Sequence, residues 1–193
     1  MSRGQRHPRC LSHLLAERAA CTPDALALLA PGCLPLTYGR LYQHVDDVVQ
    51  RLHAMGVGRH NRVALALPNG PELAVAVLAV AATAMCAPLN PAYGAHELEG
   101  YLAELHAQAL IVPTGIDSPA RAVARARDID IIELSSTSAA EAGYFTLTGA
   151  ARECPTRHGS APPDDVAVIL QTSGTTSRPK RVPLTHANIC MRA

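Results

Sequence analysis

Arg62-Val-Ala-Leu-Ala-Leu67 leads into Pro68-Asn-Gly-Pro71, and then into Glu72-Leu-Ala-Val-Ala-Val-Leu-Ala-Val-Ala-Ala-Thr-Ala-Met-Cys-Ala-Pro-Leu89. The first six residues are almost wholly apolar, as expected of a strand covered on both faces. The Pro-Asn-Gly-Pro run breaks it, and Pro71 suits the first turn of a helix. The Ala-rich stretch reads as that helix, and Cys86–Leu89 as the next strand. Leu73–Leu89 carries no charge. It is too short, too Ala-rich and too close to Pro88 for a membrane span, so a buried helix running into a strand is the better reading.

Outward from this unit the same alternation continues. A helix is expected near 9–20, with Leu11, Leu14, Leu15 and Arg18 on one face, and a short strand at Ala25–Leu29 before the Pro31-Gly32 turn. Thr37 is placed to cap a helix whose Leu41, Val45, Val48, Val49 and Leu52 form one stripe, and Gly56 lies just past its end. Further on come a turn at Asn90-Pro91 and a helix at Ala95–His106 with Leu98, Leu102 and Leu105 inward. A strand at Leu110–Val112, an Arg-bearing helix over 118–127 and a strand at Ile129–Leu134 follow. Strand and helix in alternation predict an α/β fold, a mostly parallel sheet with helices on both faces. The chain divides into an α/β layer over 1–134, an irregular excursion over 135–163 with one strand at 144–147, and a last part over 164–193. That part holds the buried strand Val166–Leu170, a polar loop and the start of a helix near Thr185.

Composition narrows the function. Of 193 residues, 48% are apolar and 17% charged, which is globular, and aromatics are only 3%. The net charge of +1 offers no broad basic face for nucleic acid. Arg3, Arg6 and Arg9 are read as a frayed soluble terminus, with a transit peptide as the alternative and no apolar segment after them to make a secretory signal. The six cysteines are scattered without C-x-x-C spacing, so a zinc site is not expected, and their pattern suits small buried residues in a reducing cytoplasm.

The chemistry is concentrated after Val166–Leu170. Thr172-Ser-Gly-Thr-Thr-Ser-Arg-Pro-Lys180-Arg181 gathers five hydroxyls, one Gly and three cations within ten residues. Gly174 lets backbone amides approach phosphate oxygens, hydroxyls donate adaptable hydrogen bonds, and Lys180 adds a point charge. A hydroxyl-rich surface turn with a solvated lysine is the competing reading. Position favours the ligand, because the loop leaves the carboxyl end of a strand, where open α/β sheets bind. Neither G-x-x-x-x-G-K-[ST] nor G-x-G-x-x-G is present.

Gln171–Lys180 resembles the signature loop T-S-G-T-T-G-x-P-K-G of the adenylate-forming superfamily, which includes acyl-CoA synthetases, aryl-CoA ligases, luciferases and peptide-synthetase adenylation domains. Val182-Pro-Leu-Thr-His186-Ala-Asn188 is similar to that family's continuation. Leu36–Leu41, Gly56–Gly58, Arg62–Leu65, Leu67–Asn69 and Pro88–Tyr93 match it in order and approximate spacing. The resemblance implies the incomplete N-terminal domain of an ATP-dependent carboxylic acid–CoA ligase. In that reaction a small-molecule carboxylic acid attacks Mg2+-ATP, giving an acyl-adenylate that then passes to CoA. By motif position it assigns Thr172, Ser173, Gly174, Thr175, Thr176 and Lys180 to the phosphates, with Thr172 also near the metal. No metal ligand and no catalytic residue is assigned.

Two departures stand out. Ser177 replaces a usual Gly in a form similar to oxalate-CoA ligase-like members, pointing to a small polar acid. Arg181 replaces a second Gly, where it is either strained at positive φ, the favoured reading, or adds a phosphate contact. His186 is expected to cap or pack at the next helix in preference to lining the acid pocket. The family's acidic motif, adenine and ribose contacts and C-terminal domain have no counterpart here. The chain is therefore expected to be inactive alone and to self-associate through an uncovered sheet face. An amino-acid adenylation domain and a non-catalytic remnant are the alternatives.

Overall fold

The computed structural model describes residues 10–137, 140–152, 161–172 and 180–191. Their elements are, in order, α1 (Leu11–Cys21), β1 (Leu26–Leu28), β2 (Leu36–Thr37), α2 (Tyr38–Ala54), β3 (Arg62–Leu65), α3 (Pro71–Thr83), β4 (Met85–Pro88) and α4 (Ala95–Leu105). After these come β5 (Ala109–Pro113), α5 (Pro119–Ala126), β6 (Asp130–Ser136), β7 (Phe145–Thr148), β8 (Val166–Thr172), β9 (Lys180–Thr185) and α6 (His186–Cys190). Among the described residues no helix is long and apolar enough to cross a membrane.

Seven strands form one sheet in the order β7-β6-β5-β3-β4-β8-β9, and β1 pairs with β2 in a separate small ribbon. The strands β3, β4, β5, β6 and β8 run parallel, whereas β7 and β9 close the two edges antiparallel. β3 is buried on both sides, as its sequence predicts. Val63, Leu65 and Leu67 belong to one core with α2 and α3, while Ala64 and Ala66 belong to a second core with α4 and α5. Period-two alternation thus sorts adjacent residues into opposite layers. The Ala-rich segment is α3, with Val75, Ala76, Ala79, Val80 and Ala81 buried.

Local signals hold in detail. The Thr37 hydroxyl accepts from Arg40 N at 3.4 Å to cap α2, and Gly56 takes φ 79° beyond its end. In α5, Arg121 is buried and donates to the Pro113 carbonyl at 2.6 Å and to Glu133 Oε1 at 2.5 Å. The span read as an irregular excursion is built into the sheet more closely than its composition suggests. Its strand β7 buries Phe145 and Leu147 against the first core. Gly143, at φ 79°, makes this approach: a Cβ there would stand 2.6 Å from Val75 Cγ2 and 2.8 Å from the Pro71 carbonyl.

Two buried histidines latch the ends of the fold by accepting backbone N–H groups. Phe145 N donates to His44 Nε2 at 3.3 Å, and the imidazole stacks on Tyr144 with centroids 4.4 Å apart. Leu11 N, at the start of α1, donates to His186 Nδ1 at 3.3 Å. His186 N in turn donates to the Asp165 carbonyl at 3.1 Å, and the Asp165 carboxylate receives the Arg59 fork at 2.5 and 3.0 Å. The packing reading of His186 therefore agrees with its surroundings, although the helix it serves is α1 as well as its own.

Two outcomes are expected. Gly143→Ala forces a side chain into left-handed backbone and against a carbonyl, so it should cost at least about 2 kcal/mol, read from urea unfolding. Burial is the main force lowering His44 and His186 below their ordinary 6.5. The unfolded chain thus binds more protons than the native one below about pH 6.5, and stability falls on acidification through that window. Melting temperature should drop between pH 7 and pH 5, with a smaller drop in His186→Gln. Asp165, held below its ordinary 3.8 first by the Arg59 hydrogen bond, contributes only at lower pH.

Candidate functional site

The hydroxyl-and-lysine loop connects β8 to β9. β8 lies beside β4 in parallel register, Cys86 opposite Val168, so the loop emerges at the carboxyl edge of the parallel strands. At that edge Pro68-Asn69-Gly70 follows β3 and Asn90-Pro91 follows β4. Open α/β sheets take ligands at this edge because strand ends and the following helix starts leave backbone groups unpaired there.

The stem of the loop is an antiparallel ladder with Leu170 opposite Val182, Gln171 opposite Arg181 and Thr172 opposite Lys180. Directly opposed residues share a face. Thr172 and Lys180 therefore stand together at the end of the ladder, and the Thr172 hydroxyl donates to the Lys180 carbonyl at 3.3 Å. Both side chains are exposed. Of the assigned phosphate contacts, Thr172 and Lys180 are thus brought together, while Ser173, Gly174, Thr175 and Thr176 lie outside the described residues, as does Ser177.

β9 was not foreseen. Val182 and Leu184 do alternate with Arg181 and Pro183, but two apolar residues among Lys180, Arg181, Pro183 and Thr185 make a weak period, and Pro183 argues against a central strand. At a sheet edge Pro is tolerated, and β9 is an edge. The expectation of strain at Arg181 is corrected by this strand. Arg181 lies in the ladder and is not among the residues with positive φ. Its guanidinium turns to α4, donating from Nη1 to the Glu104 carbonyl at 2.7 Å, with Nη2 3.9 Å from Glu104 Oε2. Nothing in the sequence spacing links residues 77 positions apart, so this contact was not legible beforehand.

β8 is also less covered than its VAVIL sequence predicts. Ala167 and Val168 are buried, but Leu170 is 41% exposed and its partner Val182 37%. On the face shared with α3, the stem leaves this apolar pair and the Thr172–Lys180 pair open to solvent. The arrangement suits an anionic ligand held by a cation and hydroxyls at one end of a flat apolar strip.

The profile of the family described as AMP-binding enzyme matches residues 15–193. A probable CoA ligase, CCL9, of Humulus lupulus is 40% identical over 185 residues, which are 93% of this chain and 35% of that protein. The oxalate–CoA ligase of Arabidopsis thaliana is 36% identical over 187 residues, again 93% and 35%. Nonribosomal peptide synthetase 8 of Aspergillus fumigatus is 32% identical over 184 residues but is matched over only 2% of its length. Among solved structures, apo MatB from Rhodopseudomonas palustris superposes with a TM-score of 0.74 at 24% identity, covering 96% of this chain and 36% of that one. The chain spans about a third of the length of the CoA ligases it matches. Fold, loop position and profile agree, and the chain belongs to the family of AMP-binding enzymes.

Proposed function

We propose that this chain is the phosphate-gripping portion of an ATP-dependent carboxylic acid–CoA ligase. The observation that carries the reading is the Thr172–Lys180 pair, set side by side at the carboxyl end of β8. Similarity to two CoA ligases supports it. In the full reaction a carboxylate oxygen of the acid bonds to the α-phosphorus of ATP. The bond from that phosphorus to the β-phosphate bridge breaks, and the electron pair leaves with pyrophosphate. In this reading Lys180 and the loop hydroxyls are assigned to that leaving group, and their work is positioning and charge neutralisation. The thiol of CoA, losing its proton, then bonds to the acyl carbon of the resulting adenylate, and the bond from that carbon to the phosphate oxygen breaks with AMP as the leaving group.

Magnesium enters this scheme as part of the Mg2+-ATP substrate. Thr172 offers one neutral oxygen, and no group of three acidic, His or Cys residues gathers among the described residues. The small polar acid is favoured by Ser177 and by likeness to an oxalate–CoA ligase. Burial pushes the Cys86 and Cys190 thiols up, away from the reactive thiolate form. An amino-acid adenylation domain is the second reading, supported by similarity to peptide synthetases, among them nonribosomal peptide synthetase 8 and the dimodular synthase of Bacillus subtilis.

Calorimetry with Mg2+-ATP tests the grip. Lys180→Ala should bind about tenfold more weakly than the parent chain, the worth of one charge-assisted contact. Equal affinities would remove Lys180 from the site. Residues 1–193 alone are expected to release no pyrophosphate from ATP with any acid. The open Leu170–Val182 strip supports self-association, so size-exclusion chromatography should show a concentration-dependent shift that Leu170→Thr reduces. A sharp monomer peak at all concentrations would count against it.

A further inference from the structure

We infer that Arg181 is a positioning residue, clamping the β9 stem onto the carboxyl end of α4 and so holding Lys180 beside Thr172. The inference rests on the reading of that pair as a phosphate grip.

The carboxyl end of a helix leaves its last carbonyls without intrahelical donors, and its dipole favours a cation there. At the end of α4 two of these carbonyls find backbone partners. Leu102 O accepts from Ala107 N at 3.1 Å, and Ala103 O accepts from His106 N at 3.0 Å. Glu104 O does not, because the amide one turn later, Gln108 N, donates instead to Arg62 O at 3.0 Å. That carbonyl instead receives Arg181 Nη1 at 2.7 Å, with His106 Nδ1 3.2 Å away. The Glu104 carboxylate, 3.9 Å from Nη2, adds a second negative group. The contact is charge-assisted and addressed to a carbonyl that receives no amide of the helix backbone.

Its place in the ladder gives it a consequence. β9 is an edge strand held along one side by β8, and Pro183 removes one donor from it. Arg181 is the residue next to Lys180, and consecutive strand residues point to opposite faces. With the guanidinium held on the α4 face, the Lys180 side chain is directed to the other, where Thr172 stands opposite it. Loss of the clamp leaves the stem free to fray from its open end, which begins at this pair.

Two measurements on the full 193-residue chain test this, with Arg181→Ala, Arg181→Lys and Arg181→Gly. Amide hydrogen exchange reads the clamp without nucleotide: in Arg181→Ala and Arg181→Gly, exchange at Val182 and Leu184 should rise about fivefold, with the rest of the sheet unaltered. Calorimetry reads the consequence: Mg2+-ATP binding should weaken about fivefold in the same variants, and Arg181→Lys, which still donates to the carbonyl, should stay within about twofold of the parent. Unchanged exchange in Arg181→Ala overturns the inference. Raised exchange with unchanged affinity also overturns it, leaving Arg181 a structural tie only. A parent chain that binds no Mg2+-ATP refutes the phosphate grip, and the positioning role with it, while raised exchange in that case still identifies the mechanical clamp as real.

Discussion

Two-sided burial of the central strand β3 is the constraint on which the remaining structure depends. Its neighbours β4 and β5 saturate its backbone groups, and its side chains are divided between two cores. The division is unequal in size. Val63, Leu65 and Leu67 face α2 and α3, whereas only Ala64 and Ala66 face α4 and α5, so the larger residues on that second side come from the helices, as Leu98 and Leu102, and from β5, as Leu110 and Val112. Covered in this way, the middle of the sheet around β3 has no face available for chemistry. What remains is its carboxyl edge, where strands end and loops begin, and where β8 delivers its polar turn.

The β8–β9 hairpin is built differently from the sheet it completes. Its lower half is core, with Val168 in the first cluster and Ile169 packed on the second. Its upper half is exposed and holds together by ladder hydrogen bonds and by Arg181 on α4. Stability therefore declines along the hairpin toward the ligand end. Low packing density near a binding loop allows it to adapt to its ligand, and a tie at one point keeps that freedom from displacing the cation.

The two edges of the sheet are secured by the same device. A buried neutral imidazole accepts a backbone N–H that would otherwise lack a partner, at Phe145 on one edge and at Leu11 beside the other. Burial that pays no charge is possible only while the ring is neutral, which is why the same contacts carry the acid sensitivity of the fold. His186 shows how a residue inside a family motif can act in architecture. It joins the helix after the β8–β9 hairpin to α1, and through Asp165 to Arg59, far along the chain.

Period and punctuation made most of the fold legible from the amino-acid sequence. The apolar runs at β3 and β5, the Ala-rich α3, the Thr37 cap, and the Leu98-Leu102-Leu105 stripe each encode a local preference that burial reinforces. The signature loop likewise announced the family, which the matching profile bears out. β9, the β1–β2 pairing, the exposure of Leu170 and the docking of Arg181 on Glu104 were decided by tertiary structure alone. Each depends on which segments meet across long sequence separations, and on whether a strand ends at an edge or in the middle of a sheet. Local propensity holds no record of either, since the hydrogen-bond partner of an edge strand and the neighbour of a helix terminus are set by packing geometry.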